Sequence, residues 1–263
     1  MKKITKVLAV ILSVLFVVSA FAACSSNKAN AESDFDYIKN KGKLVVGITD
    51  FAPMDYKDEN GNWIGFDADL GKAVAEKMGV DIEFVEIDWD NKFLELDTKS
   101  IDCIWNGMTI TDEVTQNTDV TNAYAMNQQI VVMSADKVAN YPTVDSLKDL
   151  TFAVENGSAG QSAAEENGLN ATAVNAQSDA LLEVASGSVD ACIIDSTMAA
   201  AMTGEGTDYA NLATSVVLVD EQYGISFRKG SDMVEKMNSY IEEFKADGTL
   251  QQLADKYSVS LAK

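Results

Sequence analysis

Short apolar runs recur along the chain, and stretches of helical spacing separate them. Lys43-Leu44-Val45-Val46-Gly47-Ile48 predicts a buried strand. The cluster Asp58-Glu59-Asn60-Gly61 predicts a turn. Asp67 is placed to cap a helix over 68–78, where Leu70, Val74 and Met78 repeat every fourth residue. Gly79 then closes that helix from the left-handed region. Residues 80–87 alternate apolar and acidic positions, as a strand does. Phe93, Leu94 and Leu96 predict a short helix, and Ile101 to Trp105 a further strand.

A second set follows the same rhythm. Thr151 to Val154 predicts a strand, and Ser158 with Gln161 has the spacing of a capping box at a helix start. Residues 180–185 predict a helix, and 189–194 and 216–219 predict strands. The end of the chain reads as two helices, 231–245 and one opened by a Thr249/Gln252 capping box. Strands alternating with helices imply an α/β fold with largely parallel pairing. The two sets echo each other without repeating in sequence, which predicts two lobes of similar architecture.

Charge narrows the partners. The chain has 263 residues, 41 acidic and 20 basic, with no histidine and a formal net charge of −21. Such a balance argues against nucleic acid and against anionic lipid headgroups. Without histidine or a cysteine cluster no zinc site is expected, and no cofactor is called for. Cys103 and Cys192 each lie inside an apolar run and read as buried, unpaired thiols.

The N-terminus carries an address. Lys2, Lys3 and Lys6 precede an apolar stretch over 7–18, followed by small residues and Cys24. This is the pattern of a secretory signal peptide over 1–23, and the stretch is shorter than the roughly 20 residues a spanning helix needs. Phe21-Ala22-Ala23-Cys24 resembles a bacterial lipobox, whose cysteine becomes a lipidated N-terminus. Residues 24–33 are small, polar and aperiodic, a flexible tether. The expected location is extracytoplasmic, with the chain anchored to the cell membrane through a lipid on Cys24.

Several ordered stretches carry a wider resemblance. They include Leu44 to Pro53, Gly65-Phe66-Asp67-Ala68-Asp69-Leu70, and the run from Ile101 through Asn106-Gly107-Met108-Thr109-Ile110-Thr111. Val154 to Ser158, Gly187 to Asp195, Tyr223-Gly224-Ile225 and Asp247-Gly248-Thr249 complete the set. In that order the chain resembles the extracytoplasmic solute-binding proteins of ABC transporters for polar amino acids. The resemblance implies a two-lobed, periplasmic-binding-protein-like type II α/β fold with two crossover strands and a ligand cleft between the lobes. It puts one lobe at 34–130 with 223–263, the other at 131–222, and the crossovers near 129–132 and 219–223. It implies a monomer that works with an ABC permease and is not an enzyme.

The candidate ligand contacts follow. Phe51, in the loop after the first strand, stacks on the ligand in relatives, although a loop aromatic can equally pack on its own lobe. Trp89 matches a position that lines the cleft and is as readily a structural tryptophan. Asn106, Gly107, Met108 and Thr109 lie between a buried strand and a helix start, where backbone N–H groups and hydroxyls can meet an anion. Thr111 is placed to cap that helix. Ser158 and Ala159 do the same in the second lobe. Asp195 ends an apolar strand, the edge at which open α/β sheets bind ligands, and the resemblance implies that it takes the ligand's α-ammonium.

One position departs from the resemblance. Relatives carry an arginine that grips the ligand carboxylate where this chain has Val114, and Arg228 is the only arginine present. Backbone N–H groups with Thr109 and Thr111 can replace it, or a lysine, Lys92 being nearest, or the solute is a cation without a free carboxylate. Arg228 itself reads as an ion-pair residue. An enzyme of dehydratase or lyase type on the same scaffold and a ligand-sensing lipoprotein are the rival functions; the first needs two facing acids.

Overall fold

The structure, a computed structural model, describes residues 33–263. The signal peptide, Cys24 and the tether up to residue 32 lie outside the described residues. Among the described residues no helix is long and apolar enough to cross a membrane.

Helix α1 (Asp34–Lys41) precedes β1 (Lys43–Ile48), which is buried except at its first residue. β1 pairs in parallel with β4 (Asp81–Glu86) on one side and with β5 (Cys103–Thr109) on the other. Helix α2 (Phe66–Met78) connects β1 to β4 after a small antiparallel hairpin of β2 (Tyr56–Lys57) and β3 (Trp63–Ile64), and Gly79 ends the helix in the left-handed region. The second set uses β8 (Thr151–Glu155), parallel to β9 (Asn170–Val174) and to β10 (Ala191–Asp195). Parallel pairing demands crossovers. Helices α5 (Ala159–Glu166) and α6 (Gln177–Ser186) supply them.

Two long antiparallel strands join these sets. β7 (Ala125–Ser134) pairs with β11 (Leu212–Phe227) from Leu212↔Ser134 to Tyr223↔Ala125, with register shifts around Val217. β5 adds to β11, and β10 adds to β7, so the sheet order is β4-β1-β5-β11-β7-β10-β8-β9, with β6 (Asp119–Val120) also on β11. The architecture is mixed α/β, with a parallel set at each end and an antiparallel pair running through both. Two helices, α8 (Met233–Asp247) and α9 (Thr249–Tyr257), close the chain.

Several local expectations change. Asp67 does not cap α2: it is buried inside the first turn, where its Oδ2 accepts from the Gly107 N–H (2.6 Å) and the Tyr124 hydroxyl (2.8 Å). The strand expected to stop at Trp105 continues to Thr109, because Met108 and Thr109 pair with Gly224 and Tyr223 of β11. The strand expected at 216–219 is part of a sixteen-residue strand. Strand β9 was not expected, since its exposed edge position gives it no apolar run. At α9 the Thr249/Gln252 capping box does not form; Thr249 N–H donates to Asp247 instead. At α5 Ser158 Oγ accepts from Gln161 N–H as expected, but Gln161 reaches back to Gly157 N–H rather than Ser158. Cys103 and Cys192 are buried and unpaired, and burial pushes both thiols up.

Arg228 ties α1 to the segment that leads into β5. Its Nε donates to Asp34 (3.2 Å), and its Nη1 donates to the carbonyls of Leu96 and Ile101 (3.1 and 3.0 Å). It is an ion-pair residue away from the cavity described next.

Candidate functional site

The topology sends several loops to one edge. β1, β4 and β5 are parallel, so the segments after them, carrying Phe51, Trp89 and Thr111, emerge on the same side. β8 and β10 are parallel to each other, and Glu155, Ser158 and Asp195 stand at or just past their C-terminal ends. C-terminal strand edges of open α/β sheets are where ligands lodge. Here the two edges enclose a cavity of about 310 Å³. A volume of that order suits a small solute.

All ten residues singled out in the sequence line this cavity: Phe51, Trp89, Asn106, Gly107, Met108, Thr109, Val114, Ser158, Ala159 and Asp195. Their manner of lining differs. Phe51 is buried and touches the Gly107 position closely enough that a Cβ there would meet its ring at 2.5 Å. Trp89, Met108 and Val114 form one apolar cluster with Val45, Leu96, Ile101 and Ile104. Asn106 is not a free donor. Its Oδ1 accepts from Thr49 N–H and Oγ1, and its Nδ2 donates to Asp55 and to Thr49 O. Its side chain is therefore spent on holding the loop after β1.

The expected anion site at Thr111 changes character. Thr111 caps its helix, accepting from Val114 N–H at 3.1 Å. That helix, α4 (Asp112–Asn117), is only six residues long, and its first turn carries the exposed acids Asp112 and Glu113. Both also line the cavity. An anion there would meet two carboxylates.

Asp195 anchors the opposite wall. It occupies the position before helix α7 (Ser196–Met202) but gives that helix no side-chain cap. Its Oδ1 accepts from Gln129 Nε2 (2.7 Å) and from Asn127 Nδ2, and its Oδ2 from Gln177 Nε2. Glu221 stands beside it, sharing the Asn127 and Gln129 donors and accepting from Thr109 Oγ1 at 2.7 Å. Asp195 is 3 % exposed, and burial followed by the charge of Glu221 pushes its carboxyl up to about 7. Glu155, also 3 % exposed, is pushed up to about 8 by burial and by Asp195.

Sequence reasoning missed the place of Glu155, Gln129 and Gln177 in the cavity, and the two glutamines carry no local sequence pattern. Glu155 follows an apolar strand just as Asp195 does, and that shared position is the signal that could have found it. Two buried atoms in this wall have no hydrogen-bond partner, Glu155 Oε1 and Gln129 Oε1. Both oxygens can accept a hydrogen bond. Buried polar atoms are normally paired, so the wall calls for a donor.

A mixed sheet with two parallel sets, a strand pair common to both and a buried acidic cavity between their edges defines a two-lobed solute-binding fold. The chain belongs to the bacterial extracellular solute-binding proteins, family 3, whose family model matches residues 44–260. It is 31 % identical over 247 residues to the arginine-binding extracellular protein ArtP of Bacillus subtilis, covering 90 % of this chain and 92 % of that one. It is similar in structure to a mutant of the arginine-binding protein ArgBP from T. maritima, with a TM-score of 0.79 and 35 % identity over 85 % of this chain and 98 % of that one. An ancestral amino acid-binding protein, a precursor of cyclohexadienyl dehydratase, gives the same TM-score at 32 % identity over 86 % of this chain and 99 % of that one.

Proposed function

We propose that this protein is the substrate-binding component of an ABC importer, and that its cleft closes on a small amine-bearing solute, an amino acid or a derivative of one. The observation that carries this reading is the buried acceptor wall: Asp195 and Glu155, with Gln129 Oε1 and Glu155 Oε1 lacking donors. A solute ammonium supplies up to three N–H donors and a charge, and a charge-assisted bond to Asp195 is among the strongest available. Arginine binding by relatives such as ArtP supports an amine ligand.

In this reading residues 34–130 with 223–263 form one lobe, 131–222 the other, and β7 with β11 form the crossover between them. Closure of such lobes is a hinge motion that a permease can read. A lipid on Cys24 would hold the monomeric receptor near that permease on the outer face of the membrane.

A thermal-shift screen of amino acids, polyamines and related amines tests the reading. At least one such solute should raise the melting temperature in a saturable way; if none does, the reading fails.

Two acids pushed toward neutrality in one cavity also favour a second reading, acid–base catalysis on this scaffold. Recovery of the bound solute, chemically unchanged after long incubation, decides for the receptor.

A further inference from the structure

Lys92 is the only cation among the described residues that line the cavity. It opens helix α3 (Lys92–Asp97), directly after the short turn that carries Trp89, and is only 4 % exposed. Burying an ammonium this deeply is costly unless its donors are used. Its Nζ donates to Gly157 O at 2.8 Å and to Trp89 O at 3.2 Å. The Trp89 and Phe93 ring centroids lie 5.2 and 4.8 Å away. An ammonium has three N–H donors, so one remains for the cavity. No carboxylate of the described residues pairs with it.

The charges around Lys92 leave it effective. Asp90, Glu113 and Glu155 are the acids that act on it. Asp90 and Glu113 are exposed and screened by water. Glu155 is buried, and its raised proton affinity keeps it mostly neutral at pH 7. Burial, the largest influence on Lys92, pulls its pKa down, as an unpaired buried ammonium should show. A bound anion would restore it.

The cavity therefore has two poles. Asp195, with the unpartnered Gln129 Oε1 beside it, forms a wall that asks for a donor. Lys92, beside the Gly157-Ser158 turn that opens α5, is the one group that asks for an anion. Val114 offers only methyl groups, and the short helix after Thr111 starts with two acids. We propose that Lys92 holds the carboxylate of the captured solute, so that the cleft selects a zwitterionic head group even though an apolar side chain stands at position 114. This rests on the receptor reading above and adds to it the residue that separates amino acids from the corresponding simple amines.

The test compares three pairs that differ in the carboxylate: L-arginine with agmatine, L-lysine with cadaverine, and L-histidine with histamine. Affinities are measured by calorimetry on the wild type and on Lys92→Met, whose fold is checked by circular dichroism and thermal melting. The wild type should favour the amino acid in any pair it binds. Lys92→Met should weaken that amino acid by about ten- to a hundredfold, the loss of one charged hydrogen bond, and change the amine less than about threefold. Lys92→Gln, which keeps a polar donor of similar length, serves if the methionine variant does not fold, and should show the same loss to a smaller degree. An amino acid that binds the wild type and the variants equally overturns the assignment of Lys92 and leaves the receptor reading standing. A wild type that prefers the amines also overturns it. A wild type that binds neither member of any pair, nor any other amine, overturns both.

Discussion

Gln177 grips Asp195 from both ends. Its Nε2 donates to the carboxylate Oδ2, while its Oε1 accepts from the Asp195 backbone N–H at 2.8 Å. Asn127 and Gln129 hold the other carboxylate oxygen. These three donors are neutral amides and the Tyr223 hydroxyl beside them is neutral too, so the carboxylate is fixed in place with no cation to compensate its charge. A cation arriving in the cavity meets an acceptor already oriented for it, which lowers the ordering cost of binding.

Removing the two partners should therefore have different effects. Asp195→Ala should abolish binding of any ammonium solute that the wild type takes, because three amide donors then face the ammonium in place of a carboxylate. Gln177→Ala should leave the carboxylate present but loosely held. It should weaken binding roughly tenfold and lower stability by about 1–3 kcal/mol, since it leaves a buried acceptor under-satisfied. Calorimetry and thermal melting of the two variants check this; an Asp195→Ala variant that binds as well as the wild type removes Asp195 from the site.

Stability of the solute-free protein should fall as pH rises from about 4.5 to 8. Glu155 titrates near 4.5 when unfolded and near 8 when folded, so in this window the folded chain keeps a proton that the unfolded chain has released. The unfolded state then binds fewer protons, and stability declines with pH. Asp195, pushed up to about 7, acts in the same direction between about 4 and 7. The surface acids held low, such as Asp119 beside Lys229 and the Gly230 N–H, oppose the trend only below about pH 4. Glu155→Gln should flatten the slope above pH 5 in thermal melts. A variant with the wild-type slope would show that Glu155 does not keep its proton.

Much of this site was legible in the sequence, and the reason is geometric. Phe51 and Ser158 follow apolar strands, Asn106 to Thr109 and Asp195 end them, and parallel strands must bring such positions to one edge. What could not be read was how each side chain is used. Asn106 looked like a ligand donor, yet it is consumed by Thr49 and Asp55, whose loop sits more than fifty residues earlier. Asp67 looked like a helix cap because an acid precedes an apolar repeat, yet Gly107 and Tyr124 draw it into the core. Gln177 and Gln129 reach Asp195 only through pairing of distant elements, which leaves no local pattern.

Arg228 should matter for stability and not for solute binding. It bridges Asp34 at 3.1 Å, two carbonyls of the segment around α3, and lies 3.9 Å from the fully buried Asp102, which also pairs with Lys41. Breaking a largely buried pair from one side strands the other charge, at a cost of about 3 kcal/mol. For a domain of this size that is roughly 6–12 °C in melting temperature. Arg228→Ala should show this loss with unchanged affinity for the bound solute. Arg228→Lys should recover only part of it, because an ammonium cannot reproduce the planar fork of donors. A change in affinity as large as the change in stability would contradict the separation of the two roles.

Gly157→Ala should trap the cleft away from its closed form. Gly157 follows β8 and Asp90 follows β4, so the two stand on opposite edges of the cavity. Gly157 adopts φ of +68°, and a Cβ there would lie 2.8 Å from Asp90 Oδ1 and 3.0 Å from Asp90 Cα. The second contact is with backbone, which cannot swing aside as a side chain can. Two penalties follow. The left-handed conformation costs a non-glycine residue about 1–2 kcal/mol, but this applies whether the edges are together or apart and only lowers overall stability. The clash with Asp90 arises only when the edges meet, and it also displaces the carbonyl that accepts from Lys92. The variant should fold, melt slightly earlier without solute, and bind the solute at least tenfold more weakly than the wild type. Small-angle scattering should show less compaction on adding saturating solute. If the alanine variant binds and compacts like the wild type, the approach of Gly157 to Asp90 is not part of capture.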